Sequence, residues 1–392
     1  MDRRRCLAAL ATGVPAFAGC AGLVGRPDAG RASPTAAAAR GEGNTTGTSA
    51  NQGEVSLPVP KSDLQRGAAK DGIPAIVDPR FGTDWSDFST TASNREGVEY
   101  RSDPTLDPEE RVVGVERGGR ARAYPLAVLN WHEIVNDDFG GPLLVTYCPL
   151  CGSGLTAERT VDGEEIVFGV SGYLWNSDLV MYDRATDSLW SQIMATAIRG
   201  PKTGQTLSLV PSTLTTWGAW TDSHPDTEVL LPPPVSGTIG GPTSRDYESN
   251  PYVGYDESRR IGIGGESYAG ERHPKTEVIG ISTGTAVRAY PFDAVRGAGV
   301  VNDRVGDLPV VITVAPGASL VAYERRVDGE LMEFGPAGDG HLRAGGSRWE
   351  RTTGRAVDGP HGGTRLERAN DASPMFLFAW RDFHPDTELY GA

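Results

Sequence analysis

The sequence predicts an α+β protein made of two copies of one mainly antiparallel, β-rich domain with short helices, the second copy degenerate. Three observations predict it. A repeat recurs at a fixed spacing, apolar residues alternate at period two within each copy, and cysteines are too few for a disulfide-stapled scaffold.

The repeat is the strongest of the three. Val112-Val113-Gly114 returns as Val278-Ile279-Gly280, and Arg122-Ala123-Tyr124-Pro125 as Arg288-Ala289-Tyr290-Pro291. Val135-Asn136-Asp137 returns as Val301-Asn302-Asp303, and Phe168-Gly169 as Phe334-Gly335, all without a gap. After a deletion in the second copy, Trp190 pairs with Trp349, and His224-Pro225-Asp226-Thr227-Glu228 with His384-Pro385-Asp386-Thr387-Glu388.

Within a copy, Val112–Glu116 is apolar enough for a buried strand and Gly118-Gly119 supplies a turn. Arg120–Tyr124 alternates polar and apolar residues. Pro125 opens a short helix carrying Leu126, Val128, Leu129 and Trp131, which Asn136-Asp137 and Gly140-Gly141 are expected to end. Leu143–Tyr147 is a further strand, and Asp162-Gly163 is a hairpin turn.

The first residues read as an address. Arg3-Arg4-Arg5 followed by a short apolar run fits a twin-arginine signal over residues 1–19. Phe17-Ala18-Gly19-Cys20 resembles a lipoprotein box, so Cys20 is expected to be acylated on the outer face of the cytoplasmic membrane. Residues 20–57 form a tether poor in large apolar side chains. The first repeat domain then spans 58–230, a Pro- and Gly-rich connection 231–270, and the second repeat domain 271–392.

The formal charge is −14, and only four of 37 basic residues are lysines (Lys61, Lys70, Lys202 and Lys275). An acidic, lysine-poor surface is similar to that of haloarchaeal proteins. It argues against a nucleic-acid partner, which needs a basic footprint.

The two copies act as a control on each other. Residues kept in both serve the fold, so Asn136, Asp137, Trp190 and His224 are assigned to turns and packing. Residues found in one copy are free for chemistry. His132 faces Ala298, Glu133 faces Gly299, Cys148 faces Val314 and Cys151 faces Gly317, while most of Ser171–Arg184 is lost from the second copy.

Cys148-Pro149-Leu150-Cys151-Gly152 resembles the knuckle of zinc ribbons and rubredoxins, where a turn aims two sulfurs at one metal. Two thiolates at this spacing suit Zn, Cu or Fe. His132 leads as third ligand, with Glu133, Met181 and Asp178 behind it. A strand of five residues advances about 17 Å, which sets Cys148 nearer the start of the preceding helix than its His132 end. A redox dithiol and a structural disulfide are the alternatives.

Tyr124-Pro125-Leu126, Trp131–Asp137 and Tyr147-Cys148-Pro149-Leu150-Cys151 closely resemble the family called domain of unknown function 3179. Phe168–Gly172, Val180–Arg184, Ser188-Leu189-Trp190, Lys70–Ala75 and Asn250-Pro251-Tyr252 with Tyr255 extend the likeness. The resemblance implies an exported bacterial or archaeal protein and no particular activity. Glu133 could act as a general base beside a metal-bound water. However, Asn136 stands where the zinc hydrolase motif His-Glu-x-x-His needs its second histidine. No nucleophile elbow, phosphate loop or dinucleotide fingerprint occurs. The second class of function is a non-catalytic surface module.

Overall fold

Short apolar runs and period-two alternation outnumber helical spacing along this chain, and strands follow from them. A computed structural model describes residues 55–93, 99–241, 243–268 and 270–392. The signal, the Cys20 box and nearly all of the tether lie outside the described residues. Among the described residues, the α-helices are α1 (Leu126–His132), α2 (Trp217–Ser223), α3 (Phe292–Ala298) and α4 (Leu377–Phe383). No helix there is long and apolar enough to cross a membrane.

The expected fold class needs correction. Of the described residues 43% are strand and 9% helix, arranged as a six-bladed β-propeller rather than as two α+β domain copies. Blade 1 orders Ser212–Thr216, Arg111–Arg117, Arg120–Pro125, Glu228–Leu231 and Arg80–Gly82. Blade 2 orders Ser153–Glu158, Pro142–Cys148, Ile134–Asp138, Ile76–Asp78 and Gly237–Thr238. Blade 3 orders Gln65–Arg66, Phe168–Trp175, Asp178–Asp183, Leu189–Ser191 and Thr196–Arg199. Blade 4 orders Met375–Phe376, Glu277–Ser282, Val287–Pro291 and Glu388–Leu389. Blade 5 holds Val300–Val305, Leu308–Ala315 and Ser319–Glu324, and blade 6 holds Gly335–Gly338, His341–Ala344 and Ser347–Glu350.

The physical reason lies in burial on both faces. Leu143–Cys148 is buried at every residue, as are Val112–Val115 and Val310–Ile312. A sheet in a small α+β domain would bury one face and wet the other, or need long helices to cover it. Four seven-residue helices cannot cover six sheets, so the sheets cover one another. One core cluster joins blades 1 and 2, another blades 2 and 3, a third blades 4 and 5, and a fourth blades 5 and 6.

The repeat survives in the register of blades 1 and 4, where Val113 opposes Tyr124 as Ile279 opposes Tyr290. The next hairpin slips by one residue: Asp137 opposes Leu143, whereas Asp303 opposes Val310 rather than Pro309. Arg122 Nη1 donates to Asp137 at 2.8 Å, and Arg288 Nη1 to Asp303 at 2.8 Å. Asn136 clips the following blade, donating to Phe168 O at 2.9 Å and accepting from Phe168 N at 2.7 Å. Asn302 does the same to Phe334 at 2.7 and 2.9 Å. Each unit also lays a tryptophan flat on a glycine. A Cβ on Gly114 would sit 2.5 Å from Trp220, and one on Gly280 2.3 Å from Trp380.

Blade 6 returns to blade 1 through charge. Arg365 grips Glu116 with both terminal nitrogens at 2.9 Å, and His224 Nε2 lies 3.2 Å from the same carboxylate. The His224 hydrogen bond, reinforced by the Arg365 guanidinium, lowers the Glu116 carboxyl to about 2 against the opposing effect of burial.

Candidate functional site

Helix α1 is a single short element between two strands. It ends at His132, not at Asn136, because Glu133 turns left-handed (φ 57°, ψ −29°) and Ile134–Asp138 starts a strand at once. That strand pairs antiparallel with Pro142–Cys148, and Tyr147 N donates to Glu133 O at 2.9 Å. The strand therefore returns to the end of the helix, not to its start.

Between Pro142–Cys148 and Ser153–Glu158, the Cys-Pro-Leu-Cys-Gly segment makes the connecting turn. Cys151 N donates to Cys148 O at 3.2 Å, and Gly152 takes φ 60°. Both cysteines are free and buried, at 1% and 0% exposure. Their thiols converge on one acceptor: Ser177 O lies 3.1 Å from Cys151 Sγ and 3.6 Å from Cys148 Sγ. Ser177 is the second residue of a two-residue hairpin turn, Asn176-Ser177, both with positive φ, which joins the paired residues Trp175 and Asp178. Burial, then the adjacent Cys148 sulfur, push the Cys151 thiol well above its ordinary range.

Beneath the turn lies a buried polar network. Ser153 Oγ donates to Gln192 Oε1 at 2.9 Å, and Gln192 Nε2 donates to Thr146 Oγ1 at 3.1 Å and Ser153 O at 3.0 Å. Asp178 accepts from Ser191 Oγ at 2.5 Å and Ile193 N at 3.2 Å. Burial still raises its carboxyl to about 8, more than these donors offset. Met181 packs in the same apolar cluster as both cysteines.

The second half of the chain supplies the back wall. Phe376 N donates to Cys151 O at 2.8 Å, and its ring lies 2.9 Å from where a Gly152 Cβ would be. Ser373 Oγ accepts from Gly154 N at 2.9 Å and donates to Gly154 O at 2.8 Å. Phe378 and Ala379 complete the cluster around the sulfurs. The thiol pair thus belongs to both halves.

His132 is not brought to the pair. Pro74 O lies 2.7 Å from Nδ1 and can only accept, which fixes the proton there and leaves Nε2 to accept from Tyr247 Oη at 2.9 Å. The ring stacks on Tyr247, and burial lowers it to about 4, so it is a neutral core histidine. Among the described residues, no group of three His, Cys, Asp or Glu side chains is placed to share a metal ion. Two sulfurs suffice for a soft ion in linear coordination, but not for a four-ligand zinc site.

Glu133 is 7% exposed, and among the described residues no hydrogen bond reaches its carboxyl. Burial alone raises it to about 8. Its counterpart Gly299 holds the same helix end at φ 74°. A left-handed helix end suits glycine, and another residue there costs about 1 kcal/mol.

A family model described as a protein of unknown function (DUF3179) matches residues 70–387. The chain belongs to the DUF3179 family. No curated protein and no solved structure matches it.

The matched span takes in parts of this DUF3179 chain that residue reasoning passed over. Tyr255 Oη, on the connection between the repeats, donates to Leu150 O inside the cysteine turn at 3.1 Å. Tyr252, three residues earlier, has its phenol raised by burial and then by the nearby Glu133 and Cys148. The clue in the sequence was the Asn250-Pro251-Tyr252 and Tyr255 likeness. The Ser177 carbonyl could have been sought from the Asn-Ser turn that the second copy lacks.

Proposed function

We propose that this protein is an exported thiol–disulfide protein whose working group is the Cys148–Cys151 pair. The observation that carries the reading is two free thiols in one tight turn, converging on a single carbonyl. The copy-specific loss of both cysteines supports it, because the second copy builds the same three antiparallel strands, Val300–Val305, Leu308–Ala315 and Ser319–Glu324, without them. The step balances with a disulfide partner: the two thiols lose two protons and two electrons to form the Cys148–Cys151 bond, and the partner disulfide is reduced to two thiols. The twin-arginine signal and the Cys20 lipid box support a site on the outer face of the membrane, where such partners are found.

One specific observation favours metal binding instead: Gly152 turns left-handed directly after the second cysteine, as the knuckle resemblance requires. Thiol titration and elemental analysis of one sample, followed by titration against a glutathione redox buffer, test the choice. The redox reading expects two thiols on reduction, one internal disulfide on oxidation, no stoichiometric metal, and loss of the couple in Cys148→Ser. A stoichiometric metal that Cys148→Ser removes would transfer the site to the metal reading. Failure of the disulfide to form reversibly would overturn the redox one.

A further inference from the structure

The cysteine turn is covered by a segment that contributes little else to the fold. Asn250–Ser267 runs over it as loop and one two-residue pairing, Arg260–Ile261 with Glu266–Ser267. Val253 is 82% exposed and Ile263 43%; Gln65 Nε2 donates to Ile263 O at 3.0 Å, Ile261 packs against the thiol cluster, and three further points hold the segment to the turn. The first point is Tyr255. Its hydroxyl donates to Leu150 O and accepts from Gly262 N at 3.0 Å, tying both limbs of the segment to the turn. The second is Gly262, where a Cβ would fall 2.5 Å from Ser177 Oγ. Glycine lets this backbone close onto the turn residue whose carbonyl receives both thiols. The third is Lys275, whose side chain is folded inwards with the residue 6% exposed. Its ammonium donates to Ser258 O and Arg260 O and stands 4.0 Å from the centre of the Tyr255 ring. A lysine is spent on two carbonyls and a ring in a chain that has only four.

We propose that Asn250–Ser267 is a strap over the thiol pair, latched by Tyr255 and Lys275, and that exchange requires it to lift. This rests on the redox reading for its purpose, but not for its test. Sulfurs at 0–1% exposure cannot meet another molecule while the strap is down. A segment with few buried apolar contacts opens at far lower free energy than the blades do. Release of the latch would expose the turn without disturbing any blade strand.

The test is the alkylation rate of the reduced, folded protein by iodoacetamide, read by mass at Cys148 and Cys151. The wild type should react at least 100-fold slower than an unfolded control, through an opening step. Tyr255→Phe, which deletes only the hydroxyl, and Lys275→Met, which keeps the stem but not the charge, should each speed alkylation at least 10-fold. Amide exchange in the blade strands should stay unchanged in both. Wild-type thiols that react as fast as the unfolded control, or variants with unaltered rates, would overturn the strap. If a variant also loses blade protection, the acceleration is global unfolding and the latch is refuted for that residue. Accelerated alkylation in variants that never form the disulfide would leave the strap standing and remove the redox reading.

Discussion

Blades 2 and 5 are the same frame put to different uses. In blade 2 the turn after Pro142–Cys148 presents two sulfurs. In blade 5 the shorter turn Pro316-Gly317-Ala318 carries no sulfur, and Val314 lies in the preceding strand, where Arg351 Nη1 donates to its carbonyl at 2.9 Å. Ser153 has Gln192 as partner, whereas its counterpart Ser319 has a buried hydroxyl with none among the described residues. Glu133 strains a helix end that Gly299 occupies freely. The difference teaches where the first copy departs from what folding alone would choose. It carries one strained residue, Glu133, whose buried carboxyl has no hydrogen-bond partner among the described residues, and a buried polar network beneath the cysteine turn. Departures of this kind mark function more reliably than similarity does.

The comparison can be broken first at its shared core. Trp190 and Trp349 are both fully buried. Replacing either with alanine should cost about 3–5 kcal/mol in urea unfolding, and a cost below 1 kcal/mol at Trp349 alone would mean the second copy is only loosely packed. The serine pair should then separate in sign. Ser153→Ala should destabilise by about 1–2 kcal/mol by stranding Gln192, while Ser319→Ala should be neutral or stabilising by up to about 1 kcal/mol. Equal losses at both would erase the distinction. Glu133→Gly, which installs the second copy's residue, should raise stability by about 1 kcal/mol in the same assay.

The smallest effect concerns the junctions between blades. Glu116 is held at about 2 in the folded chain, below its ordinary value of 4.5. Its contribution is therefore present above about pH 4.5 and is lost as pH falls towards 2. Solvent screening keeps it modest, since the group is partly exposed. Ser282, which does not titrate in this range, occupies the matching place in blade 4, so acid should loosen the Arg365 contact on blade 1. Hydrogen exchange at pH 3 in wild type and Glu116→Gln would detect this, and identical behaviour of the two proteins would refute it.

Much of the local structure was legible in the sequence. The hairpin at Asp162-Gly163, the proline-led helix and the strand through Leu143–Tyr147 follow from turn chemistry and periodicity. The propeller was not legible, because which sheet covers which is decided by contacts distant in sequence. The uninterrupted apolar runs Val112–Val115 and Leu143–Val145 did hint at strands buried on both faces. At the site, the cysteine turn could be read directly. His132 could not be placed, since its rotamer is set by Pro74 and Tyr247, and the distance argument assumed a helix that runs past it. Ser177, Phe376 and Lys275 were hidden for a simpler reason. Each acts through a carbonyl, a backbone N–H or an inward-folded stem, which residue identity alone does not reveal.

The hydrogen bond from Phe376 N to Cys151 O has a bearing on how such a chain can change over generations. A duplicated copy that has lost its own chemistry is ordinarily free to drift or be deleted. Here the stretch Ser373–Ala379 of the altered copy forms the seat of the other copy's cysteine turn. Selection on the thiols therefore reaches residues with no ancestral stake in them. Neither half can be lost or swapped for a relative's without refitting the other, so the pair is inherited as one unit.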